Sequence, residues 1–415
     1  MAFLANQGFR RFKMPKIAKA FLVAVWFMIL VLPVMGIKLN LPENRVDWRF
    51  DRIGALGIGV FFCALFWNWC FGRKARGLPL FQIPPKIKDT WYELSAKRSA
   101  RSSFYACLAC VLLAAPLVGS FYQTNIMISA MLYIILALGL NIVVGLAGQL
   151  VLGYVAFYAI GAYVYGILHQ YFGLGFWVCL PLGGLAGAIC GLALGFPVLR
   201  LRGDYLAIVT LGFGEIVRLG LLNWTSLTGG PAGVSDIPRP GLFGMPLNLN
   251  EATIYIYYLA LCAVFITVLV IYRIKNSRVG LALQAMREDE IASEAMGVDI
   301  TRSKLSAFAL SSCWAGFAGV LFASKTTFIN PASFTFMESA MILSMVVLGG
   351  MGSISGVILA AIILILVPEY LRAFSEYRML IFGAIMVIMM IFRPQGLISG
   401  ERRHYRIAFK MRIRP

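Results

Sequence analysis

The chain has 415 residues, of which 60% are hydrophobic and only 13% carry a charge. Soluble domains carry about 25% charged residues, so this composition excludes an ordinary soluble protein. The net charge is +19, but the basic residues lie in loops on one side of the apolar blocks. This distribution indicates orientation in a lipid bilayer, and no nucleic-acid partner is expected.

Apolar blocks of about 20 residues recur along the chain, the length that an α-helix needs to cross the hydrocarbon layer. We therefore predict an all-α fold, a polytopic transmembrane helix bundle of about 10–12 spans with possible broken or re-entrant helices. The last three spans are short enough to tilt, break or extend into the interface. The predicted spans are 20–37, 53–71, 104–121, 126–144, 150–168, 176–199, 205–222, 254–272, 305–324, 337–350, 354–367 and 379–392.

The loops between these spans predict the orientation of the chain. With the N-terminus in the cytoplasm, the cytoplasmic loops contain 28 Lys and Arg residues and the opposite loops contain 8. An excess of basic residues marks the cytoplasmic side of a membrane protein. Both termini are therefore expected in the cytoplasm, which requires an even number of crossings.

The widest gap between spans predicts the organisation of the chain. A basic stretch of 32 residues, 72–103, separates two N-terminal spans from the others. We predict an N-terminal two-span extension over 1–103, a transport core over 104–397 with a cytoplasmic loop at 273–304, and a basic cytoplasmic tail over 398–415.

The sequence predicts no metal, redox or cofactor site. All eight cysteines fall inside apolar blocks and the chain has two histidines, so buried free thiols are expected. The phosphate-loop pattern G-x-x-x-x-G-K-[ST] is absent, so ATP is not expected to bind through such a loop. No span holds a His pair, a carboxylate pair or a nucleophile with its base, so no catalytic residue is assigned and an enzyme is not expected.

Four glycines recur at every fourth position of one span. Gly183, Gly187, Gly191 and Gly195 all belong to span 176–199. This spacing is close to one helical turn, so the glycines form a smooth groove where another helix backbone can approach closely. We interpret them as helix-packing residues, and a sliding or gating surface is the alternative.

Two glycine-rich interruptions, 145–153 and 349–356, each join two apolar stretches with almost no polar loop between them. Paired interruptions of this kind in transporters mark broken helices whose free backbone ends line a cavity. Tight turns between ordinary spans would give the same pattern. The sequence leaves both interpretations open.

Four polar residues are predicted at membrane depth. Glu215 and Arg218 share one helix face at spacing i, i+3, and ionisable groups at this depth need a partner or water. The pair either joins two helices as a static ion pair or takes part in gating or a watery passage. With Asn141 and Gln149, these residues are the candidates for the translocation pathway.

A cytoplasmic helix is predicted over residues 281–296, which contain no Gly or Pro and favour helix. The run Arg287-Glu288-Asp289-Glu290 is charged, and apolar residues lie on either side of it. Such a helix either docks a partner protein or lies on the membrane. Its acidic residues disfavour contact with anionic lipid headgroups.

Several stretches resemble one family of transport proteins. Glu288-Asp289-Glu290-Ile291-Ala292, followed by Glu294-Ala295-Met296-Gly297, is similar to the cytoplasmic coupling loop of ABC importer permeases for branched-chain amino acids. The spacing of its Glu, Ala and Gly departs from the general pattern of such loops. The further stretches that resemble the family are 201–218, 228–233, 347–352 and 393–397.

The resemblance implies a permease subunit, and the long N-terminal extension points to the LivM type rather than the shorter LivH type. The implied partners are a sister permease, two ATPase subunits that bind the ATP, and a periplasmic binding protein that delivers leucine, isoleucine or valine. The implied location is the bacterial inner membrane. The residues that the resemblance assigns to ATPase coupling are Arg287, Glu288, Asp289, Glu290, Glu294 and Gly297.

A mechanism follows from the resemblance. Closure of the ATPases on ATP is expected to push on helix 281–296 and to tilt spans 254–272 and 305–324, which switches the pathway between outward and inward access. The alternatives are a permease of the same family for urea, amides or another small solute, an ion-coupled secondary transporter, and a membrane enzyme or assembly subunit.

Overall fold

The structure is a computed structural model that divides the chain into two compact units, residues 1–104 and 105–415. It describes residues 110–199, 201, 203–241, 248–370 and 396–398, together with strands 37–40 and 45–48 and isolated helical positions at 21, 22, 25, 26, 28, 54, 57, 58, 60, 61, 383 and 387.

The first unit contains a small β-hairpin. Strand β1 (Ile37–Asn40) pairs antiparallel with strand β2 (Arg45–Trp48), and Ile37 lies opposite Trp48. The hairpin falls in a segment that the sequence analysis assigned to a loop between two spans. Most residues of those two predicted spans, 20–37 and 53–71, lie outside the described residues.

The second unit is a helical bundle, which confirms the predicted all-α transmembrane fold, with the hairpin as the exception. Residues 110–118 are helical, and ten further helices of six or more residues follow in the described part of the chain. These are α1 (Phe121–Asn141), α2 (Val155–Phe172), α3 (Phe176–Val198), α4 (Asp204–Asn223), α5 (Leu249–Lys275), α6 (Arg278–Glu288), α7 (Glu290–Ala295), α8 (Ile300–Thr326), α9 (Phe336–Gly349) and α10 (Ile354–Tyr370).

Six segments of the described residues are long and apolar enough to cross a membrane: α1 with its continuation to Leu146, α3, α4, α5, α8, and residues 331–349 around α9. Helix α10 is apolar but shorter. Helix α2, which overlaps the predicted span 150–168, is not among the six. The chain is therefore a multi-pass membrane protein, and the predicted total of 10–12 spans extends to segments that lie mostly outside the described residues, such as 379–392.

The centre of the bundle is a direct contact between backbones of α2, α3 and α8. A Cβ atom added at Gly161 of α2 would overlap the carbonyl oxygen of Gly316 in α8, and one added at Gly316 would overlap the carbonyl oxygen of Gly183 in α3. Only glycine permits helix axes to approach this closely. Helix α1 packs against α8 from another side and is almost fully buried from Ala130 onward.

Candidate functional site

The coupling segment forms two short helices, α6 and α7, so the prediction of a single helix over 281–296 is wrong. Asp289 has an extended backbone (φ −156°, ψ 117°) that interrupts the helix. Its carboxylate accepts hydrogen bonds from the backbone N–H groups of Ile291 and Ala292, at 2.9 and 3.0 Å. Asp289 thus caps the N-terminus of α7. Asp is strongly preferred at this capping position, whose backbone is not helical, so α6 ends before it.

The side chain of Arg287, which is exposed overall, reaches from α6 to the first glycine-rich interruption. Its Nη1 donates a 2.5 Å hydrogen bond to the carbonyl oxygen of Gly145. The aliphatic part of the side chain lies over Gly148, which adopts a positive φ of 72° and whose added Cβ would come 2.7 Å from Cγ of Arg287. The arginine therefore holds the first glycine-rich interruption against the coupling segment.

The second interruption contacts the first at the same place. The backbone N–H of Gly352 donates to Oδ1 of Asn141 (2.9 Å), and Nζ of Lys275 donates to the carbonyl oxygen of Gly352 (2.7 Å). Nearby, the N–H of Leu397 donates to the carbonyl oxygen of Leu348 (2.8 Å). Asn141, a pathway candidate from the sequence, is 1% exposed and bridges the two interruptions.

The first interruption is a true break in the helical path. Helix α1 continues as one π-helical turn, Ile142–Leu146, and the chain then runs without helix to Tyr154. The N–H of Val155, which begins α2, donates to Oγ of Ser339 in α9 at 2.9 Å. Ser339 lies ten residues before Gly349, which is about 15 Å along a helix. Helix α2 therefore starts well inside the bundle, which favours the broken-helix interpretation.

The second interruption is a tight turn. Helices α9 and α10 approach each other so closely at Gly349 and Gly356 that a Cβ at Gly349 would lie 2.6 Å from the backbone of Gly356. Gly350 and Gly352 take positive φ values of 107° and 81° within the turn. At the second interruption, therefore, the interpretation as a tight turn between ordinary helices describes the geometry.

The remaining coupling candidates divide between an inner and an outer surface. Glu290 forms a 2.9 Å ion pair with Lys304, whose side chain is 4% exposed at the start of α8. Glu288 and Glu294 are exposed, and Gly297 takes a positive φ of 84° after α7. The exposed surface also carries large apolar side chains, Leu281, Ile291 and Met296, at 54%, 70% and 85% exposure.

The other pathway candidates lie apart from this cluster. Nε of Arg218 lies 2.8 Å from Oε2 of Glu215, and both side chains are about one-third exposed on α4. The pair therefore connects residues of one helix and does not join two helices of the described chain. Gln149 is buried in the first interruption, and its Oε1 has no hydrogen-bond partner among the described residues.

The glycines predicted to pack helices all lie against α8. An added Cβ would overlap Val320 at Gly183, the carbonyl oxygen of Ser312 at Gly187 and the hydroxyl of Ser312 at Gly191. At Gly195 it would lie 3.0 Å from Leu305. The four-residue spacing thus places one continuous side of α3 on one partner helix.

A polar cavity of about 390 Å³ lies at the far end of α2 from the coupling segment. His169 and Gln170 of α2 form one wall, and the turn that contains Gly229 and Gly233 forms another, with Asp236 at its edge. The turn over 228–233, one of the stretches in the family resemblance, therefore shapes a cavity at that end of the bundle.

The sequence analysis missed several residues that organise this site. Three side chains bond to the backbone at or next to the interruptions. Nζ of Lys275 donates to the carbonyl oxygen of Gly352, Oγ1 of Thr210 accepts from the N–H of Leu152 at 3.0 Å, and Oγ of Ser339 accepts from the N–H of Val155. Ser and Thr at membrane depth are unremarkable in sequence because they usually bond their own helix. Only the knowledge that the chain is non-helical from 147 to 154 would have identified Thr210 and Ser339 as partners of this break and of the start of α2.

Comparisons with known proteins agree with the resemblance. The sequence model of the family described as "Branched-chain amino acid transport system / permease component" matches residues 122–390. The chain is 45% identical to the high-affinity branched-chain amino acid transport system permease protein LivM of Escherichia coli, over 93% of this chain and 95% of that protein. It is 26% identical to a probable LivM of Methanocaldococcus jannaschii, over 54% of this chain and 68% of that protein.

The shorter type of permease is also similar. The permease protein LivH of Salmonella typhimurium is 26% identical over 64% of this chain and 91% of its own length. No solved structure matches the chain. The predicted resemblance is confirmed, because a family model covers more than half of the chain and a relative matches it over nearly its full length. The chain belongs to the family of permease components of branched-chain amino acid transport systems, and it resembles the LivM type.

Proposed function

We propose that this chain is the LivM-type permease subunit of an ABC importer that moves leucine, isoleucine and valine into the cytoplasm. The observation that carries the proposal is the 45% identity with LivM of Escherichia coli across nearly the whole of both chains. That match covers 93% of this chain and so includes most of the N-terminal extension, whereas the LivH type aligns over 64% of the chain.

The proposed complex contains a LivH-type sister permease, two ATPase subunits and a periplasmic binding protein. The ATPases dock on the exposed surface of α6 and α7, where Leu281, Ile291 and Met296 are uncovered beside the acidic Glu288 and Glu294. An apolar patch with a polar rim is typical of a protein interface. ATP is bound by the partners, and this subunit contributes the pathway and no catalytic step.

The proposed orientation places both termini and the coupling segment on the cytoplasmic side of a bacterial inner membrane. Loops with an excess of Lys and Arg include the one that contains α6 and α7. Helices α5 and α8 flank that segment, so both cross the membrane from its cytoplasmic side. The polar cavity at the far end of α2 then faces the periplasm and the binding protein.

Reconstitution into lipid vesicles tests the proposal. The chain is purified with its sister permease and ATPases, and uptake of radiolabelled leucine is measured with binding protein outside and ATP inside. Uptake that needs ATP, ATPases and binding protein together is expected, and excess unlabelled isoleucine or valine should compete whereas urea should not. Uptake by the chain alone, without nucleotide, would support an ion-coupled transporter and overturn the proposal.

A further inference from the structure

The two interruptions and the coupling segment meet at one point, and two cations hold them there. Arg287 donates to the carbonyl oxygen of Gly145 (2.5 Å), and Lys275 donates to that of Gly352 (2.7 Å). Between these carbonyls, Asn141 accepts from the N–H of Gly352. We propose that Arg287 and Lys275 form a clasp, which transmits movement of the coupling segment directly to the two interruptions.

The carbonyl at Gly145 needs an external donor. The π-helical turn ends at Leu146, so the carbonyl groups of this last turn lose the backbone partners that a further turn would supply. A guanidinium group at the C-terminal end of a helix also interacts favourably with the helix dipole. Arg287 meets both requirements, and a single π-helical turn of this type often occurs at functional positions.

Lys275 connects the same segment to the second interruption. It is the last residue of α5, three residues before α6 begins, and its carbonyl oxygen accepts from Nε2 of Gln284 at 3.1 Å. Its ammonium reaches the turn between α9 and α10 through Gly352. The junction of α5 and α6 therefore holds the turn while α6 holds the π-helical end of α1.

The break beyond Gly145 makes this clasp relevant to transport. Residues 147–154 form no α-helix, and the N–H groups of Leu152 and of Val155, the first residue of α2, donate to Thr210 and Ser339 of two other helices. Movement of Gly145 is therefore transmitted to a non-helical segment inside the bundle, at the start of α2. This changes the predicted mechanism: the coupling segment acts on the interruption between α1 and α2 and not chiefly by tilting α5 and α8.

The inference rests on the proposed function, and the test separates the two. Complete transporters with Arg287→Met or Lys275→Met are reconstituted, and ATP hydrolysis and leucine uptake are measured in the same vesicles. Methionine keeps an unbranched apolar chain over Gly148 but has no donor for Gly145. We expect ATP hydrolysis within about twofold of the parent and a loss of uptake of about tenfold, the scale of one charge-assisted hydrogen bond.

The matched control is Arg302→Met, which removes an arginine of the same loop whose side chain is 89% exposed and forms its ion pair with Asp299 three residues earlier. It should leave the ratio of leucine imported to ATP hydrolysed unchanged. Combining Arg287→Met with Lys275→Met should reduce that ratio less than the product of the single effects, because both act on one clasp.

Three outcomes would overturn the clasp. These are normal uptake by both single variants, a proportional fall of hydrolysis and uptake, and strictly multiplicative effects in the double variant. If the parent complex hydrolyses ATP but imports no branched-chain amino acid, the proposed function itself is wrong. If Arg287→Met does not assemble, Lys275→Met gives the same readout at the second carbonyl.

Discussion

Lys304 and Glu290 form an ion pair of 2.9 Å that ties the start of α8 to the start of α7. The lysine side chain is 4% exposed and the glutamate 24%, so the pair fixes the coupling segment to a transmembrane helix at a largely dry position. Removing one partner of a buried pair leaves an uncompensated charge, which is costly, whereas removing both is often neutral.

Glu290→Gln should therefore destabilise the subunit more than the double variant Glu290→Gln with Lys304→Met. Removing one partner of a fully buried pair costs about 3–5 kcal/mol in the free energy of unfolding. We expect a smaller loss for the single change because Glu290 is partly exposed. Thermal unfolding of the detergent-solubilised complex measures the difference. An equal loss in both variants would show that the pair itself, and not the orphaned lysine, determines stability.

The glycine contact between α3 and α8 should tolerate no added methyl group. Gly316→Ala places a Cβ on the carbonyl oxygen of Gly183, and a backbone atom cannot move aside as a side-chain end can. We expect destabilisation of about 1–3 kcal/mol or more, and lower accumulation in membranes. Gly212→Ala is the matched control, because nothing lies within 4 Å of a Cβ at that position of α4; it should be neutral or slightly stabilising.

The exposed surface of α6 and α7 should be needed for contact with the ATPases. Ile291→Asp puts a charge on a side chain that is 70% exposed and that contributes little to the fold of the subunit itself. We expect the variant to accumulate normally but to lose co-purification of the ATPases by about tenfold or more, as for an interface anchor. Ile291→Leu should retain co-purification. Normal recovery of ATPases with the aspartate variant would place the docking surface elsewhere.

Glu215 should matter for transport more than for accumulation. Its partner Arg218 lies on the same helix and both are partly exposed, so Glu215→Gln leaves an arginine without its counter-charge at membrane depth. Uptake divided by the amount of protein in the membrane should fall several-fold, and adding Arg218→Met should restore part of it. If uptake and accumulation fall together in proportion, the ion pair is structural.

The positions of most helices could be predicted from the apolar blocks of the sequence alone. The apolar blocks located the ends of α1, α3, α4, α5, α8, α9 and α10 to within five residues, because hydrocarbon thickness dictates length. The spacing of Gly183, Gly187, Gly191 and Gly195 likewise indicated a packing groove. Helix α2 was placed about five residues early, since nothing in its composition distinguishes the apolar but non-helical 150–154 from helix.

Long-range partners were not accessible from the sequence. Arg287 and Gly145 are separated by 142 positions, and the charged run around Arg287 resembles a solvated helix face. Gly161 and Gly316, single glycines without a repeat, meet only because α2 and α8 cross there. The preference of Asp for N-cap positions could have indicated the break at Asp289. The surrounding residues favour helix so strongly, however, that helix propensity alone predicts an unbroken helix.

The glycine junction of α2, α3 and α8 has a consequence for inhibition. Because backbones touch there without an intervening layer of side chains, these helices have no room to slide and should travel as one rigid body. We expect the flexing to occur at 147–154, a non-helical hinge that leads into α2. We expect a small molecule bound beside this hinge to stall the transport cycle without competing for leucine, and such a non-competitive inhibitor would need to match a short stretch of non-helical backbone.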